Sequence, residues 1–136
     1  MTWKQRPGYK ELLNKISQAK TAISEKRHLF GPQLEKLVDE FMELKIGNAQ
    51  EIWPLILELL DEIKVENYAG THPPIKSIEN NLNCELYIFV WDSKKTRSNM
   101  YLKFAIKNET FYYISLHKSN RPAKCWKFVD NFQRKR

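Results

Sequence analysis

A chain of 136 residues, 42% hydrophobic and 29% charged, is long enough for one domain with a modest core. It has no apolar run long enough to cross a bilayer, no apolar centre near Met1–Pro7 that would make a signal peptide, and only two cysteines, Cys84 and Cys125, without zinc-ligand spacing. These features point to a cytoplasmic protein with reduced thiols, no membrane partner and no metal or other cofactor. The net charge of +7 is unevenly spread: residues 1–30 carry +5 (seven basic, two acidic), 31–68 carry −6 (three basic, nine acidic) and 69–136 carry +8 (thirteen basic, five acidic). A cationic half of this kind concentrates polyanions, chiefly nucleic acid, although a basic surface can also serve solubility alone.

Residues 9–29 read as a first helix, with Leu12, Leu13, Ile16, Ala19, Ala22 and Ile23 at helical spacing. Gly31-Pro32 breaks the chain, and a second helix runs from about Pro32 to Lys45, striped by Leu34, Leu37, Val38 and Phe41 and stopped by Gly47-Asn48. The third, about Ala49 to Val65, carries Ile52, Leu55, Ile56, Leu59, Leu60 and Ile63 on one face, and Pro54 is tolerated in its first turn. Its outer carboxylates, Glu51, Glu58, Asp61 and Glu62, either meet solvent or face a basic partner. Residues 66–83 form a connection, since Gly70-Thr71-His72-Pro73-Pro74 suits neither a helix nor a central strand. His72 and Lys76 lie in it, ahead of the sheet. Leu86 to Trp91 is a continuous apolar run, the pattern of a strand buried on both faces. Asp92–Asn99 is a polar link holding Lys94, Lys95 and Arg97, and strands follow at about 100–107 and 111–118. Arg121-Pro122 ends the meander. In the tail, Trp126 and Phe128, flanked by Lys124 and Lys127, suit either another edge strand or aromatic platforms for bases. The expected architecture is a single α+β domain: N-terminal helices (about 9–65) packed on one face of a three- or four-stranded antiparallel sheet that forms, with the basic tail, residues 84–136.

The last two strands sort their residues by alternation. Leu102, Phe104 and Ile106 share a face with Tyr112, Ile114 and Leu116; Tyr101, Lys103 and Lys107 share the other with Tyr113, Ser115 and His117. A three-residue loop, Asn108 to Thr110, would set Lys103 opposite Ser115 and Tyr101 opposite His117, in agreement with that alternation. A two-residue loop would set Lys103 opposite Ile114 and mix the faces.

The second face gathers groups that can grip a phosphodiester and move its protons. His117 brings an imidazole suited to acid or base duty, Tyr101 a hydroxyl beside it and Lys103 an ammonium. Arg97, Lys118, Arg121 and Lys124 supply further cations for phosphates, Ser115 a hydroxyl, and Tyr113 a ring to stack on a base. RNA is the polyanion that needs no metal for cleavage, because its own 2′-hydroxyl can attack the neighbouring phosphorus. The carboxylates of the cationic half are scattered, without the cluster that holds magnesium, and no glycine-rich phosphate loop, GxSxG elbow or HExxH occurs. The same face could instead hold nucleic acid without cleaving it.

Tyr101-Leu102-Lys103-Phe104 leading to Ile114-Ser115-Leu116-His117-Lys118 resembles the closing hairpin of the motility quorum-sensing regulator (MqsR) toxins, within the RelE-like ribonucleases of bacterial toxin–antitoxin modules. Those proteins also have Tyr-Leu-Lys entering the hairpin and a Ser-aromatic-Lys near its end. Tyr101 matches a tyrosine that the family uses in its active site, and His117 falls where the family has a lysine. The resemblance spans about twenty residues. It implies metal-free cleavage of mRNA and an antitoxin protein as partner.

Overall fold

A computed structural model of the protein describes residues 8–31, 35–70 and 85–119. The first helix, α1 (Tyr9–Ser24), buries Leu12, Ile16, Ala19, Ala22 and Ile23, while Leu13 is exposed. It ends at Ser24, short of the extent that its spacing suggested. The chain turns through Lys26 at φ 64°, and the amides of Lys26 and Arg27 return to the carbonyls of Ile23 and Ala22 at 3.0 and 2.7 Å. It then continues as a short strand, β1 (His28–Phe30).

The other strands are β2 (Leu86–Ser93), β3 (Ser98–Lys107) and β4 (Thr110–Lys118), and the sheet order is β1-β4-β3-β2. β2, β3 and β4 are antiparallel neighbours, as expected, but β1 pairs with β4 in parallel, so the sheet is mixed. The extra strand comes from residues whose spacing suited the end of a helix. Contacts made far away in sequence decide the matter: the His28 ring stacks on Trp53 at 4.0 Å, and Phe30 lies 4.9 Å from Trp53 and 5.5 Å from Tyr113.

The remaining helices are α2 (Glu35–Glu43) and α3 (Ile52–Glu62). A 3₁₀ turn at Ala49–Glu51 leads into α3, opened by Asn48, whose side chain accepts from the Gln50 amide at 2.8 Å. α3 buries Ile52, Trp53, Ile56, Leu59 and Leu60. With the α1 stripe they form a core with Tyr87, Phe89, Trp91, Met100, Leu102, Phe104, Phe111, Tyr113 and Leu116 of the sheet. Phe104 stacks between Phe89 and Phe111, at 6.0 and 5.1 Å. The helices therefore cover one sheet face, as the α+β reading required. β2 is an edge strand: Tyr87, Phe89 and Trp91 are buried beneath the helices, and on its other side Val90 is buried too, while Leu86 and Ile88 are half-buried.

Exposed strand edges invite pairing with other chains, and here they are covered piecewise. Along β4, β1 covers the first half: Phe111 N donates to Arg27 O at 2.9 Å and Gly31 N to Tyr113 O at 2.7 Å. A Cβ at Gly31 would lie 2.9 Å from both Tyr113 O and Ile114 Cδ1, so this close approach requires glycine. Carboxylates of α2 cap the second half. Leu116 N donates to Glu40 Oε1 at 3.2 Å and Lys118 N to Glu43 Oε1 at 2.7 Å. On β2, the Ile88 carbonyl accepts from Ala69 N at 2.8 Å.

The acidic face of α3 is largely used by the chain itself. Glu62 accepts from Trp91 Nε1 (2.9 Å), Ser93 Oγ (2.7 Å) and Lys95 N (2.8 Å). Burial pushes its carboxyl up, but those donors outweigh burial and hold it below its ordinary value. Glu58 pairs with Lys95 at 3.2 Å and Asp61 with Lys20 at 3.0 Å. Among the described residues, no helix is long and apolar enough to cross a membrane.

Candidate nucleic-acid interface

The β3–β4 hairpin reaches the expected pairing by an unexpected route. Lys107 lies opposite Thr110, so the loop is two residues, Asn108 and Glu109, at φ 53° and 63°. Both are left-handed, as a type I′ turn demands, without any glycine. The three-residue loop does not form. A bulge between Lys103 and Phe104 then absorbs one residue of β4: Phe104 faces Tyr113, yet Lys103 faces Ser115, leaving Ile114 as the extra residue. Beyond the bulge, Lys103 opposite Ser115 and Tyr101 opposite His117 are the pairs that alternation required.

The bulge corrects two sequence-based placements. Between turn and bulge the parity of β4 is reversed, so Tyr113 lies beneath the helices and Ala105, Tyr112 and Ile114 share the second face with Leu86. Tyr113 is 1% exposed and its hydroxyl donates to Glu40, so it offers no ring to a base. Burial first, then the hydrogen bond and charge of Glu40, push its phenol far above the ordinary tyrosine value. Ser115, at the bulge, is 6% exposed and its hydroxyl also donates to Glu40, so it too is withdrawn from the surface.

Tyr101, Lys103 and His117 come together on the second face, all half-buried. The rings of Tyr101 and His117 stack, 4.6 Å between centroids and 16° between planes. Lys103 follows Tyr101 two residues along the same side of β3, next to this pair. His117 Nδ1 lies 2.8 Å from the Lys118 carbonyl. A carbonyl only accepts, so this contact places a proton on Nδ1 and leaves Nε2 as the ring nitrogen open to a ligand. Burial, then the charge of Glu40, push the Tyr101 phenol above its ordinary value, so its proton is held more tightly than in free tyrosine. The face is not open along its length: Val90, Ala105 and Ile114 are buried.

The β2–β3 connection brings Lys94, Lys95 and Arg97 to the same end of the sheet, because Asn99 and Met100 lie beside the end of β4, with Met100 opposite Lys118 and Ser119 N donating to Asn99 O at 2.8 Å. Arg97 and Lys118 are both exposed there, Arg97 at φ 59°. Arg121 and Lys124 lie outside the described residues, as do His72, Lys76, Cys84, Cys125, Trp126 and Phe128. Glu40 is the residue that sequence reasoning missed; nothing in the pattern of its helix separates it from the solvent-facing acids around it. Among the described residues, no three histidine, cysteine or carboxylate groups converge as a metal site.

No family model, curated protein or solved structure matches the chain. Chemistry at this face must be read from its own side chains. An imidazole, a phenol and an ammonium stand side by side on it.

Proposed function

We propose that the protein is a metal-independent endoribonuclease, acting as the mRNA-cleaving toxins that its hairpin resembles. The observation that supports this reading best is the stacked Tyr101–His117 pair with Lys103 beside it, on one side of a ribbon in the cationic half of the chain. His117 Nε2 takes the proton of a 2′-hydroxyl as O2′ bonds to phosphorus. The P–O5′ bond breaks, and O5′ receives a proton from the Tyr101 phenol, which regains it from water or the imidazolium. Lys103 stabilises the charge that builds on the phosphoryl oxygens. The products are a 2′,3′-cyclic phosphate and a 5′-hydroxyl. Arg97 and Lys118 hold flanking phosphates. An antitoxin that covers this face is the partner that the resemblance implies.

The second reading is a regulator that holds RNA on this face without cleaving it. The burial of Tyr113 and Ser115 favours it, because both withdraw from the face groups that would orient a substrate. Purified protein incubated with labelled RNA in excess chelator separates the two. Cleavage by the wild type is expected, slowed on the order of 100-fold or more by His117→Ala and less strongly by Tyr101→Phe, the range that positioned acid–base groups contribute. Undiminished cleavage by His117→Ala removes the imidazole from the mechanism. Salt-sensitive binding without cleavage by the wild type establishes the regulator instead.

A further inference from the structure

We infer that the cleft between the end of α2 and the β2–β3 connection is a second phosphate subsite for the same RNA strand, an inference that rests on the RNA reading above. The cleft, of about 300 Å³, is lined by Lys45, Lys95, Lys118 and Thr96, with Leu44 and Leu55. One carboxylate also lines it, Glu43, whose Oε1 accepts from the Lys118 amide at 2.7 Å. Lys95 is paired with Glu58 at 3.2 Å. Among the described residues, neither the Lys45 nor the Lys118 ammonium has an ion-pair partner. With Lys95 paired to Glu58, the Lys45 and Lys118 ammonium groups outnumber the single Glu43 carboxylate, and the net positive charge of the concavity suits an anion.

The cleft also lies where a strand leaving the proposed cleavage site would pass. His117 and Lys118 are consecutive in β4, so their side chains leave opposite faces at its very end. An RNA strand crossing that end meets the imidazole on one side and the cleft on the other. The cleft is built before any ligand arrives. Thr96 N donates to Ser93 Oγ at 3.1 Å and Lys95 N to Glu62 Oε2 at 2.8 Å, which fixes the connection against α3. Lys45 itself terminates α2 at φ 60°, where glycine is the favoured residue, with the Ile46 amide returning to Phe41 O at 2.8 Å.

Equilibrium binding of a single-stranded 2′-O-methyl RNA, which lacks the attacking hydroxyl, tests this across a salt series. Each lost phosphate contact lowers the slope of log affinity against log salt by about 0.7 for a single strand. Lys45→Gln is expected to lower it by one such step, Lys45→Gln with Lys118→Gln by two, and Lys45→Arg to keep the wild-type slope. An unchanged slope in Lys45→Gln, with the wild type still cleaving unmodified RNA, overturns the subsite and leaves the ribonuclease reading standing. Absence of RNA affinity in the wild type at low salt overturns both.

Discussion

Replacing Glu40 by alanine is expected to lower the stability of the protein by about 4 kcal/mol, the scale on which removing one member of a buried charged network acts. Glu40 is 7% exposed, yet its two oxygens accept from the Tyr113 and Ser115 hydroxyls and the Leu116 amide. Alanine leaves all three donors buried without an acceptor, each at a cost of about 1 to 3 kcal/mol, partly relieved by relaxation or entering water. Glu43 is the internal comparison. It caps the next outward amide of β4, that of Lys118, but from an exposed position. Water can replace it, so Glu43→Ala should cost less than about 1 kcal/mol. The urea midpoint checks both, with an unchanged m-value showing that stability alone has moved. Equal losses for the two variants would mean that Glu40 does not hold α2 to the sheet. The bulge has a part in this design. By reversing parity at Ile114 it turns the Leu116 and Lys118 amides outward to the helix and brings the Tyr113 and Ser115 hydroxyls to one carboxylate.

The protein should also lose stability steeply above pH 10. Tyr68, Tyr87 and Tyr113 are fully buried, and burial is the first cause that pushes each phenol well above its ordinary value. Neighbouring carboxylates add to it: Tyr87 donates to Glu85 at 2.9 Å and to Glu11 at 3.1 Å, those two charges also act on Tyr68, and Glu40 acts on Tyr113. The sign follows from proton counting. Below about pH 10, the ordinary tyrosine value, folded and unfolded chains both hold these protons and stability does not depend on them. Above it the unfolded chain releases protons that the folded chain keeps, so stability falls as pH rises. Each phenol contributes a slope of about 1.4 kcal/mol per pH unit, and three together about 4. Total stabilities are about 5 to 15 kcal/mol, so unfolding about one to four units above pH 10 is expected. Urea midpoints from pH 8 to 11.5 follow it. A flat profile to pH 11.5 would contradict the burial of these hydroxyls.

The helices and the outer part of the hairpin were legible because burial there repeats over many residues. Ile52, Ile56, Leu59 and Leu60 recur at helical spacing and are buried, and Met100, Leu102 and Phe104 alternate toward the helices. β1 was not legible. Three residues are too few to display a period, and His28 and Phe30 become a strand because Trp53 and Tyr113, distant in sequence, lie beside them. The turn was misread for a reason of register. In an unbroken ladder a two-residue loop sets Lys103 opposite Ile114 and mixes the faces, and alternation alone gives no sign of a bulge. The bulge makes up the missing residue. Tyr101, Lys103 and His117 therefore pair as alternation required, because they lie beyond it, while Tyr113 lies between turn and bulge and changes sides. The role of Glu40 depends on where α2 meets β4, which no local pattern encodes.

The most direct test of the proposed chemistry is the identity of the RNA ends that the wild-type protein leaves in the presence of chelator. Attack by the 2′-hydroxyl predicts fragments ending in a 2′,3′-cyclic phosphate and beginning with a 5′-hydroxyl, and their loss in His117→Ala. Fragments carrying 3′-hydroxyl and 5′-phosphate ends, or RNA that stays intact, would contradict it.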